Sequence, residues 1–329
     1  MIWVTWRQHR AQLLAGGAFV SVALLFLGVT GPGIWSTFHS SGLAGCLAAR
    51  PSVCSGLANA FDQRYTGFQF LVPLFLILPV LIGVFWGAPL VAREMEQGTY
   101  RLAWTQGVTR TRWLGAKLAT LAAVTVVGIA AFTLVLAWWS RPLAAAGDNR
   151  LNPGIFDLRG VVPVAYALFA LVLGIAVGTI IRRTLPAMAA TVAAYVGARV
   201  AVLVWLRPHY AAAKTVAYSV LKGGPPMGRS DWVLSTTTLD RAGHFMGNGS
   251  TLDFNLLQAR CPGLIPAPGR LPGNAALQQC VHKVGLHVQA VYQPGSRFAL
   301  FQGIEAVIFT ALAACLVGLT IWAVRRRVT

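Results

Sequence analysis

Apolar positions in this chain fall into long runs, with polar residues collected between them. A membrane-spanning helix needs about 20 largely apolar residues. Six stretches meet that length, roughly Gln12–Thr30, Phe68–Ala92, Ala116–Trp139, Val161–Ile181, Leu185–Leu206 and Phe298–Val324. The pattern predicts an all-α polytopic membrane protein with six transmembrane helices. Only Arg182, Arg183 and Thr184 separate the fourth and fifth runs, which reads as a tight helical hairpin. Pro73, Pro79 and Pro89 mark the second run as the one to be kinked or broken, and neighbouring helices can satisfy the backbone groups such prolines free.

The polar stretches divide the chain. Residues 1–206 carry the first five helices, 207–297 a long polar region, and 298–329 the last helix with a basic tail. Within the first part, the segment 91–118 holds Arg93, Arg101, Arg110, Arg112 and Lys117 together with Glu94 and Glu96, two of only nine acids in the chain. A chain this poor in charge has little reason to gather polar residues in one connection unless a soluble partner meets them there. The 207–297 region is rich in Gly and Pro and has no clean periodicity. Short helices are expected at Asn274–Val284 and Phe254–Arg260, and no internal repeat of fixed period is present.

Composition agrees with the membrane reading. The chain is 56% hydrophobic and 11% charged, against roughly 25% charged in soluble domains. Its net charge of +18 would ordinarily raise nucleic acid as a partner. Here the charges lie between apolar runs, so they orient the chain in a bilayer instead, and no nucleic-acid partner is expected. With the N-terminus inside, twelve Lys and Arg fall on the cytoplasmic side and five in the short outer loops. The positive-inside rule then places both termini in the cytoplasm and the 207–297 region outside the cell membrane.

Cysteine placement fits that topology. Cys46 and Cys54 share the first outer loop, Cys261 and Cys280 share the large one, and Cys315 stands alone in the last helix. Two local disulfides, Cys46–Cys54 and Cys261–Cys280, are the natural pairing on an oxidising side, against the alternative of four free thiols. Catalytic constellations are lacking: the sequence has no phosphate-binding G-x-x-x-x-G-K-[ST], no H-E-x-x-H, no C-x-x-C and no G-x-S-x-G. His282 and His287 near Cys280 make a weak zinc pattern, and Cys280 has the better partner in Cys261. Asp231, Asp240 and Asp253 read as solvating the external region. No enzyme, metal or bound cofactor is expected.

Charges within a membrane are costly and mark function or pairing. Arg199 and Glu305 each lie about seven residues from the outer ends of their helices, hence roughly 10 Å deep. Matching depth and opposite sign predict an ion pair between them, either a static staple or a part of gating or substrate contact.

The segment Arg93-Glu94…Gly98-Thr99…Thr105…Arg110…Lys117, with Arg101 and Arg112 inside it, resembles the segment carrying the coupling helix in permease subunits of ABC-2 type transporters. Trp3 to Arg10 resembles the short amphipathic stretch ahead of their first helix. Tyr292 to Phe298, followed by Phe301, Gln302 and Glu305, is similar to a stretch before the last helix of actinobacterial members. The resemblance implies a permease, most often an exporter, that pairs with a second permease copy and with a separate ATP-binding subunit. ATP would be bound by that partner, which would dock on Arg93, Glu94, Glu96, Gly98, Thr99, Arg101, Arg110 and Arg112. Two other classes stay open: a membrane-anchored sensor or scaffold using the external region, and an integral membrane enzyme, which would need convergent polar residues inside the helices.

Overall fold

In a computed structural model, residues 2–49, 53–98, 109–146, 149–219, 226–228, 230–248, 251–262 and 274–327 are described. The chain divides into two compact units, one comprising Met1–Asp148, Asn152–Arg207 and Ala299–Thr329, the other Asn149–Leu151 and Pro208–Phe298. Among the described residues six helices are long and apolar enough to cross a membrane: Val20–Ser40, Pro73–Glu96, Thr111–Ala146, Val162–Ile181, Thr184–His209 and Gly295–Arg325, here called the first to sixth spans.

The first span departs most from the sequence expectation. Gly31-Pro32-Gly33 reads as punctuation, yet the helix runs unbroken from Ile2 to Ser40 with Pro32 inside it. Packing overrides the local signal, because Ile34 and Phe38 beyond the proline are buried in the core. The stretch 3–10 is therefore the beginning of this helix rather than a separate piece. The link that follows is also more ordered than a loop. Leu43–Ala49 and Ser55–Tyr65 are helices, their apolar residues Leu43, Ala58 and Phe61 face the same core, and a disulfide joins Cys46 to Cys54.

The second span is assembled from pieces: Leu78–Ile82 with Pro79 in its first turn, a π-helical turn Gly83–Gly87, and Ala88–Glu96. It lies against the fourth span, the most buried of the six. Gly83 and Gly87 face Gly174 and Gly178 so closely that a Cβ on Gly83 would stand 2.5 Å from the Ala170 carbonyl oxygen, and one on Gly178 2.5 Å from that of Ala88. Small residues four apart on both helices permit this backbone contact, the device by which helices pack where no hydrophobic effect drives them together.

The second unit contains what the sequence reading lacked, a five-stranded antiparallel sheet. Its strands are β1 (Lys214–Ser219), β2 (Trp232–Leu239), β3 (Phe245–Asn248), β4 (Thr251–Leu252) and β5 (His287–Gln293), in the order β1-β5-β2-β3-β4. Register shifts at Val233/Ser235 and Thr238/Leu239 break the two-residue alternation of β2, which hides it from a periodicity search. The two expected helices are present, Phe254–Arg260 and Asn274–Val284. Met246, Leu257, Cys261, Cys280, Val281 and Leu286 form the small core between helix and sheet.

The three aspartates of this unit organise its backbone, where the sequence reading had them solvating the surface. Asp253 caps the helix Phe254–Arg260 by accepting from the amides of Asn255 and Leu256 at 3.0 and 3.3 Å. Asp231 accepts from the amides of Gly228 and Gly295. Asp240, 2% exposed, accepts from the amides of Ala242 and His244 and faces the Arg260 guanidinium. The His244 amide chiefly holds its carboxyl below the usual carboxylate range.

Cys261 and Cys280, 19 positions apart, are joined by a disulfide. Cross-links over such a loop contribute roughly 3 kcal/mol. Replacing both by alanine is expected to lower the opening free energy of the helix Asn274–Val284 by about that amount, read as hydrogen-exchange protection; unchanged protection would show that the core holds the helix alone.

Candidate functional site

Two polar constellations stand out in the first unit. The nearer to the expected dock lies where the second span ends. Gly98, in the left-handed region at φ +71°, lets the chain turn off the helix, and the Gln97 and Gly98 amides close its last turn on Arg93 and Met95. Glu94 bonds to Lys117 on the third span, and the Lys117 ammonium sits 4.5 Å over the Trp113 ring. Glu96 reaches the start of the fifth span, accepting from the amide and hydroxyl of Thr184 at 3.1 and 2.7 Å. That helix has no capping side chain of its own, so Glu96 supplies the N-terminal acceptor from another helix, with its charge at the positive end of the dipole.

Both acids thus have partners within the chain. Glu94 and Glu96 clasp the third and fifth spans to the end of the second; Arg183 lies near Glu96, and the exposed cations of the segment itself include Arg93 and Arg112. Thr109 opens the third helix by accepting from the Arg112 amide at 3.4 Å. Thr99 and Arg101 lie outside the described residues, and of Arg110 only the helical backbone is described.

The second constellation is a buried charge cluster larger than the expected pair. Arg199 Nη1 donates to Glu305 Oε1 at 3.1 Å, joining the two residues singled out by depth. Arg199 also bonds to Asp157 through Nη2 and lies over the Tyr166 ring at 3.6 Å. Arg207, 0% exposed, holds both lobes of Glu305, Nε to Oε2 at 2.9 Å and Nη2 to Oε1 at 2.8 Å. The same Nη2 donates to Asp157 Oδ1 at 2.6 Å. The Tyr166 hydroxyl completes the set against Asp157 and Glu305. Two guanidiniums and two carboxylates thus balance in charge, the condition under which burial of ions is tolerable. They bring together the fourth, fifth and sixth spans and the segment before the fourth. Next to them Gln302 of the sixth span accepts from the amides of Val161 and Val162, both at 3.1 Å, and donates to the Phe156 carbonyl.

Arg207, Asp157 and Tyr166 escaped the sequence reading for local reasons. Eight residues separate Arg199 from Arg207, which in a regular α-helix leaves them about 80° apart. A π-helical turn at Val202–Leu206 takes up extra chain and returns Arg207 to the same face. Asp157 sits in a polar connection and Tyr166 in an apolar run, where neither draws notice. A search for acids and bases at one membrane end would have found all four charges. The interior therefore contains convergent polar groups beyond Arg199 and Glu305.

A cavity of about 180 Å³ abuts this cluster. Its walls are apolar and aromatic, Phe75, Ile129, Phe132 and Val196 among them, and its polar side is formed by Thr133, Asp157, Tyr166, Tyr195 and Arg199. Among the described residues no group of three or more His, Cys, Asp or Glu side chains converges as a metal site.

A family model described as ABC-2 membrane transporter related matches residues 17–207. No curated protein and no solved structure matches the chain.

Proposed function

The chain belongs to the ABC-2 membrane transporter related family, and from that premise we propose that it is the permease subunit of an exporter driven by a separate ATP-binding subunit. Both termini and the segment 91–118 lie in the cytoplasm in this reading, and the unit 208–298 lies outside. A second permease copy, of this chain or of a related one, completes the transport path. The chemistry belongs to the ATP-binding partner, and this chain supplies the path and the coupling.

The observation that carries the reading is the double clasp. Through Glu94–Lys117 and Glu96–Thr184, the end of the second span is tied to the third and the fifth at once. A push on the 91–118 segment is delivered directly to the fifth span, whose other end bears Arg199 and Arg207. The exposed Arg93 and Arg112 offer charge to the partner, and the clasping acids transmit its motion.

The two roles separate by mutation. Arg93→Glu with Arg112→Glu is expected to lower co-purification of the ATP-binding subunit by about tenfold or more, since reversed rim charges meet their own sign. The thermal midpoint of the permease should not move. Glu94→Lys is expected to lower that midpoint, because two ammonium groups then share a largely buried place. Full association of the double arginine variant would remove this face as the dock.

A further inference from the structure

We propose that the 180 Å³ cavity beside the charge cluster is a binding site for an uncharged amphiphile, an aromatic or short alkyl body with one hydroxyl or amide at its tip. Its size sets the body. A cavity of about 150 Å³ lined by apolar side chains accepts a benzene ring, and this one is comparable. Its walls set the character. Phe75 and Phe132 meet edge to face with centroids 5.3 Å apart, and Ile129 and Val196 continue the apolar surface.

The cluster sets the charge of the ligand. Arg199 and Arg207 are balanced by Asp157 and Glu305, and every one of these ionic contacts lies where little water reaches. Asp157 and Arg199 are the charged side chains that line the cavity. An anionic ligand would have to displace Asp157 from Arg199, and a cationic one would compete with Arg199 for Asp157. Either leaves a net charge in low dielectric, which is strongly disfavoured. A hydroxyl or amide can hydrogen-bond the remaining lone pairs of Asp157, or the Tyr195 hydroxyl, without altering the balance. The site thus selects against both signs of charge by being neutral and already paired. Taking this ligand as the exported cargo rests on the permease reading above; binding to the chain by itself does not.

The test uses the full chain alone in phosphatidylcholine nanodiscs, with no ATP-binding subunit, so its outcome is independent of coupling. The probe is 3-phenylpropanol bearing a photoreactive diazirine on its ring. Adducts are expected in the peptides covering 75–79, 129–133 and 195–200. Unlabelled 3-phenylpropanol should suppress them at concentrations about tenfold or more below those needed of 3-phenylpropionate or 3-phenylpropylamine. Val196→Trp, at a half-exposed position on the wall, should fill the cavity and cut these adducts about tenfold. Adducts spread evenly over exposed apolar positions such as Val127 and Val307 would overturn the site. Equal competition by the charged analogues would overturn its selectivity. Should the tryptophan variant fail to fold, the competition series on the unaltered chain decides both points.

Discussion

Replacing Arg207 with leucine is expected to remove most of the folded protein. The side chain is 0% exposed and bonds Glu305 through two atoms and Asp157 through one of the same. Its loss leaves two carboxylates sharing the single guanidinium of Arg199. Removing one partner of a buried ion pair costs about 3–5 kcal/mol in soluble proteins, and hydration near a membrane surface reduces that figure. Arg199→Leu should cost less, because that side chain is 14% exposed. The double change Arg207→Leu with Glu305→Leu keeps Arg199 against Asp157 and should recover much of the monodisperse yield in size-exclusion chromatography. Arg199→Leu with Glu305→Leu keeps Arg207 against Asp157 and should do the same. If export also returns in these doubles, the cluster is a staple; folded but inactive protein would give the charges a part in the transport cycle. A single Arg207→Leu variant as stable as the unaltered chain would show that the cluster does not hold the helices.

The second large effect is expected at Gly174. A Cβ there would stand 2.2 Å from the Gly83 carbonyl oxygen and 2.7 Å from the Ala88 amide nitrogen. Both are backbone atoms, so no side chain can swing aside, and the second and fourth spans would have to part. Overpacking of this kind costs about 1–3 kcal/mol or more. Gly174→Ala is therefore expected to lower the thermal midpoint sharply, and Gly174→Leu to abolish folding. Gly128→Ala in the third span, where a Cβ meets nothing within 4 Å, should be neutral or slightly stabilising. Equal tolerance at both positions would contradict the close seam.

Much of the layout was legible because a membrane span imposes one strong demand, a long apolar run. The same demand obscured details. Gly83 and Gly87, and Gly174 and Gly178, stand four apart in the sequence, but that spacing does not say which two helices meet there. Arg207 reads as external because the apolar run ends at Leu206, and the π-helical turn before it is what brings it inward. That Lys117 and Thr184 come within reach of Glu94 and Glu96 is not legible in the sequence, because those partners stand 23 and 88 positions away. In the second unit, the helices Asn274–Val284 and Phe254–Arg260 stand where the sequence leads one to expect them. The sheet is not legible there, because two bulges interrupt β2 and the pairing of β1 with β5 spans some seventy positions of chain.

The clasps and the cluster lie at opposite ends of the fifth span, one at Thr184 and the other at Arg199 and Arg207. On the proposed reading, the fifth span is the element through which work done at 91–118 reaches the cavity. The most direct check introduces a cysteine at Val196, in the cavity wall, with Cys315 changed to serine. Its rate of reaction with a membrane-permeant maleimide is then compared between nucleotide-free and vanadate-trapped complexes with the ATP-binding subunit. The rate is expected to change severalfold on trapping, and to stay constant when Arg93→Glu and Arg112→Glu are added. An identical rate in the free and trapped complexes would contradict the coupling of ATP hydrolysis to this chain's interior.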